Sequence, residues 1–207
     1  MQRHISPLVQ EKPVTDAPLQ LAVIVASVRQ GRTGHVVSSW FHDESVKHGK
    51  FAVDLIDLAD TPPPLILGNE MPQELAGVTK KLAAADAFVV VTPEYNHSFP
   101  ASIKSLIDWH YGEWRAKPVG FVSYGGMASG LRAVEGLRLV FAEMHAVTVR
   151  DCVSFGMFTG QGFEEDGRPT DAEGASAAAT TLLDQLAWWG GTLREARERT
   201  PYPAPQH

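Results

Sequence analysis

Three short stretches of the chain concentrate groups able to bind a ligand. The first is SVRQGRTGH, residues 27–35. Ser27 and Thr33 supply hydroxyls, and Arg29 and Arg32 supply guanidiniums able to grip an oxyanion through paired hydrogen bonds. Gly31 and Gly34 let the backbone come close to a ligand. A helix beginning at Gly34 would add free N–H groups and a positive partial charge at the same place. Together these groups suit a phosphate. The stretch lacks the GK[ST] ending of a P-loop, and it is not GxGxxG. The plain structural alternative is a capped turn with two solvated arginines.

The second stretch is PEYNHSFPA, residues 93–101. Pro93 stiffens its start, and Asn96 and Ser98 are expected to support the turn by side-chain bonds to backbone. The amides of Glu94, Tyr95, Asn96 and His97 can then face a flat heterocycle with carbonyl and ring-nitrogen acceptors, with Tyr95 against the ring. The alternative is a tyrosine and a histidine at a subunit contact. No spacing gives His97 an acid–base partner, so it is read as a surface histidine. The third stretch is SYGGMASG, residues 123–130. Gly125 and Gly126 remove side chains where a ligand edge could approach, Ser123 precedes them, and Ser129 is the expected N-cap of a helix. Its alternative is a glycine-rich turn and nothing more.

These stretches need a frame. Apolar runs at 20–26, 51–57, 87–91, 118–124 and 146–153 read as strands. Helical patterns at 34–48, 72–85, 101–109, 129–145 and 171–189 separate and follow them. Alternation of this kind implies a parallel sheet with helices on both faces. Five strands favour a flavodoxin-like doubly wound order, 2-1-3-4-5, in three layers. That order opens a crevice at the carboxyl ends of strands 1 and 3. The three ligand-binding stretches follow strands 1, 3 and 4. Strand 2 alternates, as an edge strand does, and runs into Pro62, Pro63 and Pro64.

The 207 residues are 44% hydrophobic, enough for one core, and the folded unit is expected at 19–195 between tails at 1–18 and 196–207. A net charge of −6 with no basic run argues against nucleic acid. One cysteine excludes an internal disulfide framework and points to a reducing compartment, the cytoplasm. Cys152 falls in a strand and is read as a buried residue rather than a nucleophile. No stretch is long and apolar enough for a membrane span. The histidines lack metal-ligand spacing, and Glu164, Glu165 and Asp166 read as solvated.

The three stretches together resemble the NADPH-dependent FMN reductase family. SVRQGRTGH, PEYNHSFPASIKSLIDW, and YGG followed by SGLRAVEGLR carry the likeness, which extends over residues 19–155. The resemblance implies that Ser27, Arg29, Arg32 and Thr33, with Gly34 behind them, hold the FMN phosphate. It implies that Pro93, Glu94, Tyr95 and Asn96 contact the isoalloxazine, mostly by backbone, and that Ser123, Gly125 and Gly126 flank it. Hydride would pass from NADPH or NADH to the flavin, then to free flavin, a quinone, an azo compound or a metal oxyanion, in ping-pong order. No catalytic side chain is named. Similar proteins are homodimers or homotetramers in which one chain completes its neighbour's pocket; Trp109, Tyr111 and Trp114 could do so, but core or surface packing is the expected fate of any single one. Ala26 stands where such proteins often have Gly, Ser102 and Ser105 depart from the usual pattern, and residues 155–170 match nothing. The rival readings are a non-enzymatic flavodoxin-like electron carrier and an α/β module binding another phosphorylated ligand.

Overall fold

Residues 17–160 and 162–203 are described by the computed structural model. Its strands are β1 (Leu19–Val25), β2 (Phe51–Asp57), β3 (Ala87–Pro93), β4 (Pro118–Gly125), β5 (Val147–Thr148) and β6 (Val153–Gly156). Its helices are α1 (Gly34–His48), α2 (Ala76–Ala84), α3 (Ala101–Trp109), α4 (Leu131–Glu143) and α5 (Ala172–Arg199). The sheet is parallel in the order β2-β1-β3-β4-β5, as expected, with β6 also on β4. Of the tails expected at 1–18 and 196–207, residues 1–16 and 204–207 lie outside the described residues.

Apolar side chains on both faces of β1 and β3 dictate this layering. Ala22, Ile24, Phe88 and Val90 pack on one side with Ile103, Leu106, Leu137 and Phe141 of α3 and α4. Leu21, Val23, Val89 and Val91 pack on the other with Val37, Phe41, Leu182 and Leu186 of α1 and α5. A strand buried on both faces must sit inside the sheet. β2 lies at the edge, but its burial does not alternate as expected: Phe51 and Ile56 are buried and Leu55 is exposed. Trp114 is fully buried against Phe88 and Phe141, so it belongs to the core and cannot wall a site.

Two further expectations need correction. The single fifth strand is two pieces. Val119 pairs with Thr148 and Val122 with Val153, three steps along β4 against five along its neighbour, so two residues bulge out. Arg138 of α4 captures the carbonyls of Val149 and Arg150, and Gln185 of α5 binds Asp151, which holds the bulge open. The last helix also outruns its expected end at 189 and passes the expected domain boundary at 195. Arg194 and Arg197 reach the buried Asp86 at 3.4 and 3.2 Å, and Arg197 also donates to the Ala116 carbonyl. Those contacts hold the final turns on the sheet.

Lys117 lies inside this end of the molecule. Its ammonium donates to the carbonyls of Leu82 and Ala83 at the end of α2. Burial, reinforced by the positive charge of Arg197, lowers its pKa from 10.5 to about 8. From pH 8 to 10.5 the folded state therefore binds fewer protons than the unfolded state, and this lysine adds stability as pH rises. Its contribution across that window is of order 3 kcal/mol, at about 1.4 kcal/mol per unit. Urea unfolding between pH 7.5 and 9.5 should show wild type gaining on Lys117→Met; parallel pH profiles would contradict the shift.

Candidate functional site

The loop after β1 leaves its backbone donors unused among the described residues. Ser27, buried where β1 ends, opens it, and Gly31 turns it at φ 65°. α1 then begins at Gly34 behind Thr33, which accepts from the Val36 and Val37 amides through its carbonyl but does not cap with its hydroxyl. Among the described residues, no amide from 27 to 35 donates a hydrogen bond to the protein. Nine adjacent residues with free N–H groups make a cradle whose chemistry suits an oxyanion. Gly34 has to be glycine: a Cβ there would lie 2.8 Å from the Tyr124 hydroxyl and 3.3 Å from Val25.

Two arginines were expected to serve this cradle, and the structure separates them. Arg29 is exposed and has no ion pair among the described residues. Arg32 instead forks onto Asp57 at the end of β2, with bonds of 2.8 and 2.7 Å, and donates to the Ser27 carbonyl at 3.2 Å. The Asp57 hydrogen bonds raise the Arg32 pKa further. Its charge is neutralised and its geometry filled, so it shapes the loop rather than offering an open grip. Asp57 also accepts from the Ala59 amide at 3.0 Å. Sequence reasoning missed Asp57. The available signal was an acidic residue ending the strand beside β1, whose own loop carries the arginines.

The loop after β3 is a tight turn. Tyr95 and Ser98 exchange both backbone hydrogen bonds, at 2.8 and 3.0 Å, and Asn96 and His97 between them have φ of 49° and 73°. Two left-handed residues inside a closed pair make a type I′ turn. The side-chain support expected from Asn96 and Ser98 is absent among the described residues; backbone pairing replaces it. The Glu94 amide is bonded to the Tyr124 carbonyl and the Tyr95 amide to Ser98. The unused donors are therefore Asn96 and His97, at the tip. The Tyr95 hydroxyl meets the Ser27 hydroxyl at 2.7 Å and ties this loop to the cradle. Pro93 is buried at the strand end, and Ser102 of α3 donates to the Ala26 carbonyl, fixing the position where Ala replaces the usual Gly.

The third loop joins the other two. Glu94 lies against Gly125, where a Cβ would come within 3.3 Å of its own Cβ. Ser123 donates to the Ser129 carbonyl at 2.9 Å, tightening the loop. The cap of α4 is Gly130, at φ 85°, and not the expected Ser129, whose own φ is 52°. Trp109 and Tyr111 sit away from these loops' hydrogen bonds. Trp109 donates to the Pro64 carbonyl, and Tyr111 carries Arg115 over its ring at 4.1 Å. Cavities also occur elsewhere, about 300 Å³ beside β6 and Ala175 and a wider cleft along 164–172, but none of the three ligand loops lines them.

Two buried polar atoms bordering the crevice lack a partner among the described residues: the Tyr124 hydroxyl against Gly34 and Oε2 of Glu94. Burial pushes the Tyr124 phenol upward, so it remains a neutral donor. The other Glu94 oxygen accepts from Arg132 at 2.9 Å. A ligand with phosphate at one end and a flat ring bearing donors and acceptors at the other matches these free groups, and FMN is such a ligand. Among the described residues no cluster of three His, Cys, Asp or Glu side chains is placed to hold a metal ion, and no helix is long and apolar enough to cross a membrane.

Comparison with known proteins bears on the family and the fold. The chain is 35% identical over 122 residues to an NAD(P)H-dependent FMN reductase of Schizosaccharomyces pombe, covering 54% of this chain and 60% of that one. It is 30% identical over 159 residues to an NADPH azoreductase of a Bacillus species, covering 73% and 85%. The flavoenzyme NAD(P)H:(acceptor) oxidoreductase FerB of Paracoccus denitrificans shares the fold, with a TM-score of 0.67 at 22% identity over 84% of this chain and 98% of that one. The family model of the NADPH-dependent FMN reductases matches residues 19–160, and the chain belongs to that family of FMN-dependent oxidoreductases.

Proposed function

We propose that this protein holds FMN across the three loops and uses NADPH or NADH to reduce a small-molecule acceptor. The observation that carries this reading is the run of free amides at residues 27–35, joined through Ser27 and Tyr95 to the loop after β3. The cradle amides, the Ser27 and Thr33 hydroxyls and Arg29 would hold the phosphate. The Asn96 and His97 amides and the Glu94 carboxylate would meet the ring, with Pro93, Tyr95, Ser123, Gly125 and Gly126 around it. FMN, when bound, supplies the hydride and electron chemistry. The chain's own task is to fix the ring at the sheet's crevice and leave one side open to donor and acceptor in turn. Relatives named as quinone reductases and as an azoreductase support acceptors of the quinone and azo classes.

The test is anaerobic. FMN-loaded protein is mixed with NADPH or NADH while flavin absorbance near about 450 nm is followed, the cofactor carrying the chemistry. Rapid bleaching is the expected result; stable FMN without bleaching by either donor would make the protein an electron carrier. Arg29→Ala should weaken FMN binding at least about tenfold, since a charge-assisted phosphate contact is lost. Its melting temperature should barely move, because the side chain is exposed and makes no hydrogen bond or ion pair among the described residues. Fluorescence titration giving wild-type affinity would remove Arg29 from the phosphate site.

Self-association belongs to the same proposal. Leu65, Ile66 and Leu67 stand 73, 87 and 53% exposed on a loop pinned to α3 by Ser105 and Trp109 through the Pro64 carbonyl. An apolar tripeptide held outward on a rigid support is suited to bury itself against a second copy. We place the folded unit at residues 19–199 and the protein in the cytoplasm, consistent with one unpaired cysteine.

A further inference from the structure

Phe158 is 84% exposed, an unusual state for a phenylalanine that is also held in place. It sits at the third position of a turn closed by the Thr159 amide on the Gly156 carbonyl at 3.1 Å, with the Thr159 hydroxyl on the same oxygen. The turn is fastened to the ligand crevice: the Met157 amide donates to the Gly125 carbonyl at 2.8 Å, and Gly125 pairs with Gly156. Thr170 holds the far side through the carbonyls of Gly160 and Gly162. One edge of the ring approaches Gly126, where a Cβ would come 3.0 Å from Cδ2 and 3.1 Å from Cε2. Met127, also 84% exposed, follows directly. A continuous line of contact thus runs from Glu94 through Gly125 and Gly126 to the Phe158 ring. Neither 123–130 nor 156–160 contains a charged residue, and the nearby Arg132 is neutralised by Glu94.

We propose that Phe158, with Met127 beside it, is a specificity-determining shelf of this site, one that favours flat, uncharged aromatic acceptors over small anionic ones. This rests on the acceptor-reducing function proposed above. A planar ring stacking on Phe158 covers apolar surface that is otherwise left in water, and an aromatic pair adds a geometric preference for flat partners. A multiply charged anion gains nothing from such a surface and would lose hydration on it. The glycine at 126 is what lets the ring lie this close to the crevice.

The experiment compares menadione, a flat neutral quinone, with ferricyanide in wild type, Phe158→Ala and Phe158→Trp, all loaded with FMN. For Phe158→Ala the expected KM for menadione rises about tenfold, kcat changes less than about twofold, and the kcat/KM ratio of menadione to ferricyanide falls about tenfold. Phe158→Trp should restore that ratio. Binding is read separately by calorimetric titration of menadione into oxidised holoenzyme without NAD(P)H, where no turnover occurs; Kd should weaken by the same factor. Unchanged binding and unchanged acceptor ratio in Phe158→Ala would overturn the shelf. So would a shift of that variant to a smaller oligomer with menadione affinity intact, which would make Phe158 a subunit contact. Failure of wild type to oxidise NAD(P)H with either acceptor would sink the proposed function instead, and the calorimetric comparison would still decide the shelf.

Discussion

Asp57→Ala should lower unfolding free energy by about 2–3 kcal/mol and loosen the loop between β1 and α1. Side-chain exposures of 18% for Arg32 and 15% for Asp57 put the pair between a surface bridge and a buried one. Breaking a buried pair costs about 3–5 kcal/mol because a charge is stranded, while a surface pair is worth under about 1. The fork is bidentate, which favours the upper part of the interval. The substitution also strands the Ala59 amide. Arg32→Ala should cost less, since Asp57 keeps that amide and can take water. A double-mutant cycle read by urea unfolding should return a coupling of roughly 1–2 kcal/mol. Coupling near zero would mean that the two side chains do not act together and that Arg32 is available to the ligand.

That pair marks the limit of what the chain discloses about its own site. β1 and β3 are legible because apolar residues on both faces can only be central, and the strand order follows from helices that must lie between them. The stretch at 27–35 is readable only as a candidate anion site, since the same residue types also suit a capped turn with solvated arginines. Which arginine is left over for a ligand is decided 25 residues away, by a carboxylate brought alongside only when β2 pairs with β1. The turn at 95–98 shows the same divide. Asn and His enter the left-handed region more readily than most residues but still uncommonly, so two in succession follow from the Tyr95–Ser98 pairing more than from propensity. The bulge between β5 and β6 is set by Arg138 on the helix just before it and by Gln185 on a helix 34 residues beyond Asp151. Phe158 belongs to this class too. A hydrophobic residue in a Gly-rich loop carries no sign of its place until β6 pairs with β4 and sets it on Gly126.

Gly130→Ala should be the most damaging single methyl in the molecule's ligand-binding end. The residue has φ 85°, where an alanine costs about 1 kcal/mol or more. Its Cβ would also lie 2.7 Å from the Ser123 Cβ, 2.8 Å from the Tyr124 nitrogen and 3.0 Å from the Tyr124 oxygen. Two of those neighbours are backbone of the central strand β4, so no rotamer change relieves the contact. Strain and overpacking together predict a loss of about 3–5 kcal/mol. The relaxation that would reduce this cost moves the third loop, and with it Gly125, whose carbonyl anchors the Phe158 turn. FMN affinity and acceptor discrimination should therefore both decline in whatever fraction remains folded. Gly77→Ala supplies the contrast. It lies within α2 with open space around it, and the same added methyl should stabilise by about 0.5–1 kcal/mol through the helix preference alone. Thermal unfolding of the two variants side by side checks the argument: opposite signs are expected, and a Gly130→Ala protein as stable as wild type would mean that the turn into α4 tolerates another path than the one that sets the glycine edge of this site.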